Sequence, residues 1–251
     1  MPKTWRAPAG TYPTLCADML KQPHVLIAGA TGSGKSVLIN SLIYTALYDA
    51  PTKTRFILID PKRVELCDYK RLPHTMTYAS EPPEIVAAIH SAVDLMESRY
   101  RDMQRRRLKR YDGPDVYIII DEYADLVTVQ KKQVLNPLCR LAQLGRACKI
   151  HLIIATQRPT REILSGQIKV NVDARVALRC PTAQDSRNII NIKGAELLPR
   201  YGEGYYLTPD TMQPVLVPIP LTEESELERI RAWWKAQEPK RLFKSRFKKI
   251  L

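Results

Sequence analysis

Residues 24–40 read HVLIAGATGSGKSVLIN, and few folds accommodate that order. An apolar run of strand length enters a glycine-rich turn, the turn closes on Lys35 and Ser36, and a helical pattern follows. The turn satisfies GxxxxGK[ST] in the context that gives this pattern its meaning, with a strand before it and a helix after it. Such a unit predicts parallel strands in a covered sheet, because the helix must cross back over the sheet before the next strand begins. The chemistry of the turn is electrostatic. Its glycines let successive backbone N–H groups curl around phosphate oxygens, and the Lys35 ammonium reaches the β and γ phosphates. The Ser36 hydroxyl is placed to ligate Mg²⁺, and the helix N-terminus adds its dipole. Gly29, Ala30, Thr31, Gly32, Ser33, Gly34, Lys35, Ser36 and Val37 are therefore the predicted nucleotide-binding residues.

The rest of the chain supports an α/β reading. Short apolar runs recur at 25–28, 56–59, 116–120, 152–155 and 176–178, separated by segments of helix length. That alternation predicts a parallel sheet with helices on both faces. With 251 residues, 45% of them hydrophobic, one large domain can fill its own core. Helical composition marks 84–109 and 131–148, and a last helix over 223–236 follows Thr222, the predicted N-cap. Residues 204–207 and 215–219 read as a further strand pair before it. The expected organisation is a proline-rich arm over 1–22, a domain over 23–238 and a basic tail over 239–251.

Two more strand ends carry polar chemistry. The run VYIIIDE, residues 116–122, is apolar until it meets two acids. Asp121 is the candidate for the Mg²⁺ shell, and Glu122 directly follows, placed to polarise an attacking water. A carboxylate in that second position points to hydrolysis coupled to motion rather than to a slow timer. The run IHLIIATQRP, residues 150–159, ends in Thr156 and Gln157, and in an ATPase sheet that end lies where Gln157 senses the γ-phosphate.

With these residues in place, a resemblance can be stated. IAGATGSGKS, IDPKRVEL, IIIDEYADL, RLAQLGRACKIHLIIATQRP and SGQIKVNVDARVAL followed by DSRNII occur in the order, and close to the wording, of the motor domain of FtsK/SpoIIIE-type DNA translocases, within the HerA–FtsK superfamily. The resemblance implies a RecA-like P-loop NTPase fold with a mainly parallel central sheet flanked by helices. It implies an ATPase whose subunits form a homo-oligomeric, hexameric ring around double-stranded DNA and pump it. It puts ATP on residues 29–36, magnesium on Ser36 and Asp121, the catalytic base on Glu122 and the γ-phosphate sensor on Gln157. It also makes Arg146 the arginine finger that reaches the neighbouring subunit's ATP, with Arg175 and Arg187 as further interface candidates. The family's N-terminal membrane segments and C-terminal winged-helix module find no counterpart, so the expectation is a stripped motor. The rival readings are a coupling or packaging ATPase of the same superfamily, moving conjugative or viral DNA, and a protein-moving secretion ATPase.

Charge favours the nucleic-acid reading. The balance of 39 Lys and Arg against 26 Asp and Glu leaves +13, which suits a polyanionic partner. The densest basic stretch, RYRDMQRRRLKR over 99–110, reads either as a DNA-facing stripe or as a solvated helix face. The tail KRLFKSRFKKIL reads either as a nucleic-acid arm or as a frayed amphipathic end. Five scattered cysteines without CxxC spacing argue against a disulfide framework or a zinc site and point to the cytoplasm. His24, His74, His90 and His151 share no ligand spacing and read as structural, and Trp233 and Trp234 read as packing residues. No apolar run approaches the roughly 20 residues that span a bilayer. Work at a membrane, or for a mobile element, would then need a partner protein.

Overall fold

The computed structural model describes residues 12–164, 166–211 and 213–237. In chain order these form α1 (Tyr12–Lys21), β1 (His24–Ala28), α2 (Lys35–Asp49), β2 (Thr54–Ile59), β3 (Thr75–Ala79), α3 (Pro82–Arg106), β4 (Asp115–Ile120) and α4 (Tyr123–Leu144). There follow β5 (Ile150–Thr156), α5 (Gly166–Asn171), β6 (Ala174–Ala177), α6 (Ala183–Ile190), β7 (Glu203–Leu207), β8 (Val215–Pro218) and α7 (Glu224–Lys235). The predicted basic tail and residues 1–11 lie outside the described residues.

The strands make one sheet in the order β3-β2-β4-β5-β1-β6-β7-β8. It is parallel from β3 to β6, and β7 and β8 add an antiparallel edge. Both faces of its centre are buried, and the period of two sorts each strand's side chains between two cores. Leu26, Ile57, Ile59, Ile118, Ile120, Leu152 and Ile154 pack on one face with residues of α3, α4 and α6. Val25, Ile27, Phe56, Leu58, Tyr117, Ile119 and Ile153 pack on the other with residues of α1, α2 and α7. Helices on both faces are what β1, β2, β4 and β5 require, since an apolar strand interior leaves no face for water.

Several local expectations are corrected. The segment 12–21, read as part of an arm, is a helix, because Cys16 and Met19 fall a turn apart and bury against α2. The strand β3 was not anticipated: TMTYA is polar and largely half-exposed, as a sheet edge permits. The helix predicted over 131–148 begins at Tyr123, with Glu122 as its N-cap and a kink at Gln130. Thr222 does not cap the last helix. Its hydroxyl donates to Ser41 Oγ at 2.9 Å, and Glu223 takes the cap position.

Two crossovers position the site. The helix that follows β1, α2, lies on one face, and the one that follows the adjacent β5, α5, packs toward the other. The loops leaving the C-terminal ends of these neighbouring strands therefore diverge, and the crevice between them is where open α/β sheets hold ligands.

Candidate functional site

The glycine-rich turn is clamped between two strand ends. Gly29 N–H donates to Thr156 O at 3.3 Å, at the end of β5, and Ala30 N–H to Arg179 O at 2.8 Å, beyond β6. No side chain fits at the first position, because a Cβ on Gly29 would stand 2.7 Å from Ser33 Oγ and 2.8 Å from Leu178 Cβ. At the last turn position Gly34 adopts φ 97°, which releases the chain into α2 and which a side chain disfavours. Gly34 makes no side-chain cap, so the first-turn N–H groups of α2, at Lys35 and Ser36, remain available to an anion. Lys35 is buried and donates to Gly29 O at 2.9 Å and Ala30 O at 3.0 Å. Burial pushes its ammonium down to about 8, against the pull of the Glu122 and Asp121 carboxylates.

The acids stand at the end of β4. Asp121 N–H donates to Ile59 O at 3.1 Å, which ties this turn to the end of β2. Asp121 is pushed up to about 7, first by burial and then by the nearby Glu65 and Asp60 carboxylates. A buried acid among acids suits a cation. Among the described residues no trio of His, Cys, Asp or Glu makes a metal site of its own. The Asp121 carboxylate fits Mg²⁺, which binds through one or two protein ligands together with phosphate and water oxygens rather than in an all-protein cage.

Glu122 is also buried, and its carboxylate is surrounded by donors. The Thr156 hydroxyl reaches Oε1 at 2.8 Å, and Gln157 N–H reaches Oε1 and Oε2 at 3.1 and 3.2 Å. Ala124 N–H reaches Oε1 at 3.4 Å, and Lys62 Nζ lies 3.3 Å from Oε2. Gln157 turns its own side chain to the phosphate loop, where its Oε1 accepts from the Thr31 hydroxyl at 2.8 Å. Glu122, Gln157 and the loop thus form one hydrogen-bonded network across β4, β5 and β1.

The structure brings Lys35, Asp121, Glu122 and Gln157 together with the loop, and leaves Arg146 apart. Arg146 is exposed in the turn before β5, at the opposite end of the sheet from the phosphate loop. Arg175 is corrected as an interface candidate, since its guanidinium donates to the carbonyls of Lys169, Val172 and Ile189 and so ties the ends of α5 and α6. Arg187 is exposed on α6.

The basic stretch over 99–110 is part structural and part exposed, with Arg101, Arg105, Arg107, Lys109 and Arg110 open to water. Arg99 is buried, donating to Cys148 O at 2.7 Å and Lys149 O at 3.1 Å, while Arg105 pairs with Asp102 and Arg106 with Asp102 and Asp112. The cysteines are all free. No described helix is long and apolar enough to cross a membrane. Trp234 packs on His74 with ring centroids 4.6 Å apart, as expected of a structural aromatic.

Sequence reading assigned no role to Lys62, Asp60 or Thr156. Asp60 accepts from Val64 N–H, Leu66 N–H and Tyr78 OH, which fixes the loop that presents Lys62 to Glu122. The signal lay in IDPKRVEL, but only the pairing of β2 with β4 shows what that loop faces.

Comparison with known proteins agrees with this geometry. The chain is 38% identical over 243 residues to the DNA translocase FtsK of Lactiplantibacillus plantarum, covering 88% of this chain and 31% of that protein. It is 38% identical over 238 residues to the DNA translocase SftA of Bacillus subtilis, covering 88% and 25%. It therefore spans less than a third of the length of these relatives. Among solved structures, the fold matches the pCW3 conjugation coupling protein TcpA with ATPγS, at a TM-score of 0.75 and 23% identity, over 86% of this chain and 66% of that one. It also matches the cytoplasmic domain of the Thermomonospora curvata type VII secretion ATPase EccC, at 0.73 and 23%, over 86% and 28%. The model of the FtsK/SpoIIIE family matches residues 11–117 and 110–161, the stretch that carries the phosphate loop, both acids and Gln157. By that match and by the network those residues build, the chain belongs to the FtsK/SpoIIIE family.

Proposed function

We propose that this chain is the motor of an ATP-driven double-stranded DNA translocase, acting as a homo-oligomeric ring in which hydrolysis is coupled to DNA movement. The observation that carries the reading is the link from Glu122 through Gln157 to Thr31 of the phosphate loop. A scaffold that only bound nucleotide would need the loop alone. A hydrolytic motor needs a base, a sensor and a path between them. The relatives named DNA translocases and the charge of +13 support duplex DNA as the substrate. The free cysteines support a cytoplasmic setting.

The residues divide the work. Lys35 exchanges its two carbonyl partners for β and γ phosphate oxygens, and the N–H groups at the start of α2 hold the same chain of phosphates. Ser36 and Asp121 would hold Mg²⁺, whose bound charge offsets that developing on the transferred phosphoryl group. Glu122, once released from its donors, accepts the proton of the attacking water. Gln157 reports on the γ-phosphate through its contact with the loop, and Arg146 serves the site of a neighbouring subunit.

The test is the rate of ATP hydrolysis with duplex DNA, with single-stranded DNA and without DNA, at two salt concentrations. Duplex should raise the rate several-fold, and its apparent affinity should fall steeply with salt, since phosphate contacts release counterions. Hydrolysis that ignores every nucleic acid would overturn this reading in favour of a protein-moving ATPase.

A further inference from the structure

One cation beside the phosphate loop has no part in the site described so far. Arg200, in the segment between α6 and β7, places its Nη2 3.1 Å from where a Cβ on Gly32 would stand, with Nε and Cζ also within 4 Å of that point. Its side chain is exposed, and among the described residues its guanidinium has no hydrogen-bond or ion-pair partner. Its one ring contact is with Tyr201, 5.3 Å from Cζ to the ring centroid. Other arginines of this chain are engaged: Arg99 and Arg175 on carbonyls, Arg106 and Arg231 on carboxylates.

The position of Arg200 is fixed from the loop itself. Ala30 N–H is bonded to Arg179 O, and the next residue, Cys180, donates its N–H to Ala195 O at 3.0 Å. On the other side, Ile219 N–H donates to Gly202 O at 2.9 Å. The segment that carries Arg200 is thereby tied to the sheet on both sides, and the side chain is brought to the rim of a loop built to receive a polyanion. A guanidinium there offers a planar pair of donors that matches two phosphate oxygens, which a point charge such as Lys35 cannot do.

We infer that Arg200 is a second cation for the nucleotide in its own subunit, donating to the terminal phosphates of bound ATP from the rim of the loop at Gly32. This rests on the nucleotide reading of the loop. It differs from the role given to Arg146, because Arg200 acts on the site of the chain that carries it. Its charge supports binding rather than chemistry, so its loss falls on affinity more than on turnover.

The experiment measures the dissociation constants of mant-ATP and mant-ADP, with Mg²⁺, for the wild-type chain, Arg200→Ala, Arg200→Lys and Lys35→Ala. Arg200→Ala should weaken mant-ATP about tenfold, and mant-ADP less, with Arg200→Lys recovering part of the loss. Its thermal midpoint should hardly move, since the exposed side chain's one contact in the fold is with the Tyr201 ring. The kcat of Arg200→Ala at saturating ATP should stay within a few-fold of wild type while KM rises. An unchanged mant-ATP affinity in Arg200→Ala, or a tighter one, would overturn the inference, the second by making Arg200 a plug over the loop. Lys35→Ala separates this failure from a wider one. If wild type binds mant-ATP and Lys35→Ala does not, the nucleotide reading stands whatever Arg200 does; if wild type binds none, that reading fails first.

Discussion

Lys62 and Glu122 meet at 3.3 Å across the paired ends of β2 and β4, and Glu122 is buried where Lys62 is partly open to water. With Thr156, Gln157 N–H and Ala124 N–H on the same carboxylate, four donor groups serve one acid. A carboxylate offers about four lone-pair positions, so none is left for an attacking water. On the proposed reading of Glu122 as the base, hydrolysis requires some of these donors to let go. Thr156→Val removes the shortest of them without changing the side chain's shape. It should raise hydrolysis in the absence of DNA several-fold and lower the ratio of DNA-stimulated to basal rate. Glu122→Gln should keep nucleotide bound and lose turnover by at least about a hundredfold. Steady-state rates with and without duplex check both, and equal proportional losses at Thr156 would mean that this donor only supports the site.

The bond from Thr31 Oγ1 to Gln157 Oε1, at 2.8 Å, makes a second prediction. A γ-phosphate entering the loop competes with Gln157 Oε1 for the Thr31 hydroxyl, so on the proposed reading this contact is where nucleotide state first reaches β5. Gln157→Ala should leave mant-ATP affinity within about twofold and reduce kcat by about a hundredfold, the scale of losing one well-placed donor near developing charge. Equilibrium binding and single-turnover hydrolysis, measured on the same preparation, separate the two effects. A loss of affinity with unchanged single-turnover rate would remove Gln157 from the sensing role.

How much of this was legible in the sequence depended on whether the causes were local. The phosphate loop announced itself because glycine placement, the lysine and the strand-to-helix switch all lie within residues 24–40. The acids at 121 and 122 were legible because an apolar strand that ends in two carboxylates is locally odd. The partnership of Lys62 with Glu122 was not, since the residues are 60 apart and meet only through the register that sets Ile59 beside Ile120. Arg175, an interface candidate by the resemblance, is a helix tie, because its carbonyl partners come from two helix ends that the sequence does not show to be adjacent. The strand β3 was missed for the opposite reason: a half-exposed edge puts little demand on composition, so TMTYA carries no apolar run.

Two buried histidines predict an acid limit to stability. Burial lowers His24 to about 3 and His74 to about 4, from an ordinary value of 6.5. Between pH 6.5 and about 4 the unfolded chain therefore takes up protons that the folded one refuses. Their contribution is present in full above pH 6.5 and is lost as pH falls, at up to about 1.4 kcal/mol per pH unit for each group. His24 Nδ1 accepts from Leu152 N–H at 3.0 Å, and an asparagine oxygen can take that bond. His24→Asn should cost stability at pH 7.5 yet flatten the acid slope by one proton. Urea unfolding at pH 7.5, 6 and 5 reads this directly, and parallel curves for the two proteins would show that His24 does not titrate on unfolding.

Arg146 should act in trans. Its turn precedes β5, while the phosphate loop starts level with Thr156 at the other end of that strand. The six steps along the seven residues of β5, at about 3.3 Å each, put about 20 Å between the two ends, beyond the reach of an arginine side chain. Arg146 therefore cannot serve its own nucleotide, and its exposure leaves it free to serve another's. Fingers of this kind are worth about 10³–10⁵ in rate where they have been characterised, whereas a cation near a helix C-terminus is worth about 0.3–1 kcal/mol of stability. Arg146→Ala and Glu122→Ala proteins should each be nearly inactive alone, with unchanged mant-ATP binding. Mixed together they should regain part of the DNA-stimulated rate, because some interfaces then join an intact Glu122 to an intact Arg146 from the adjacent copy. The recovered rate should rise with total protein concentration and vanish on dilution, as an activity shared between subunits must. If Arg146→Ala alone keeps near-normal turnover, the finger assignment fails and Arg187, exposed on α6, is the next cation to test.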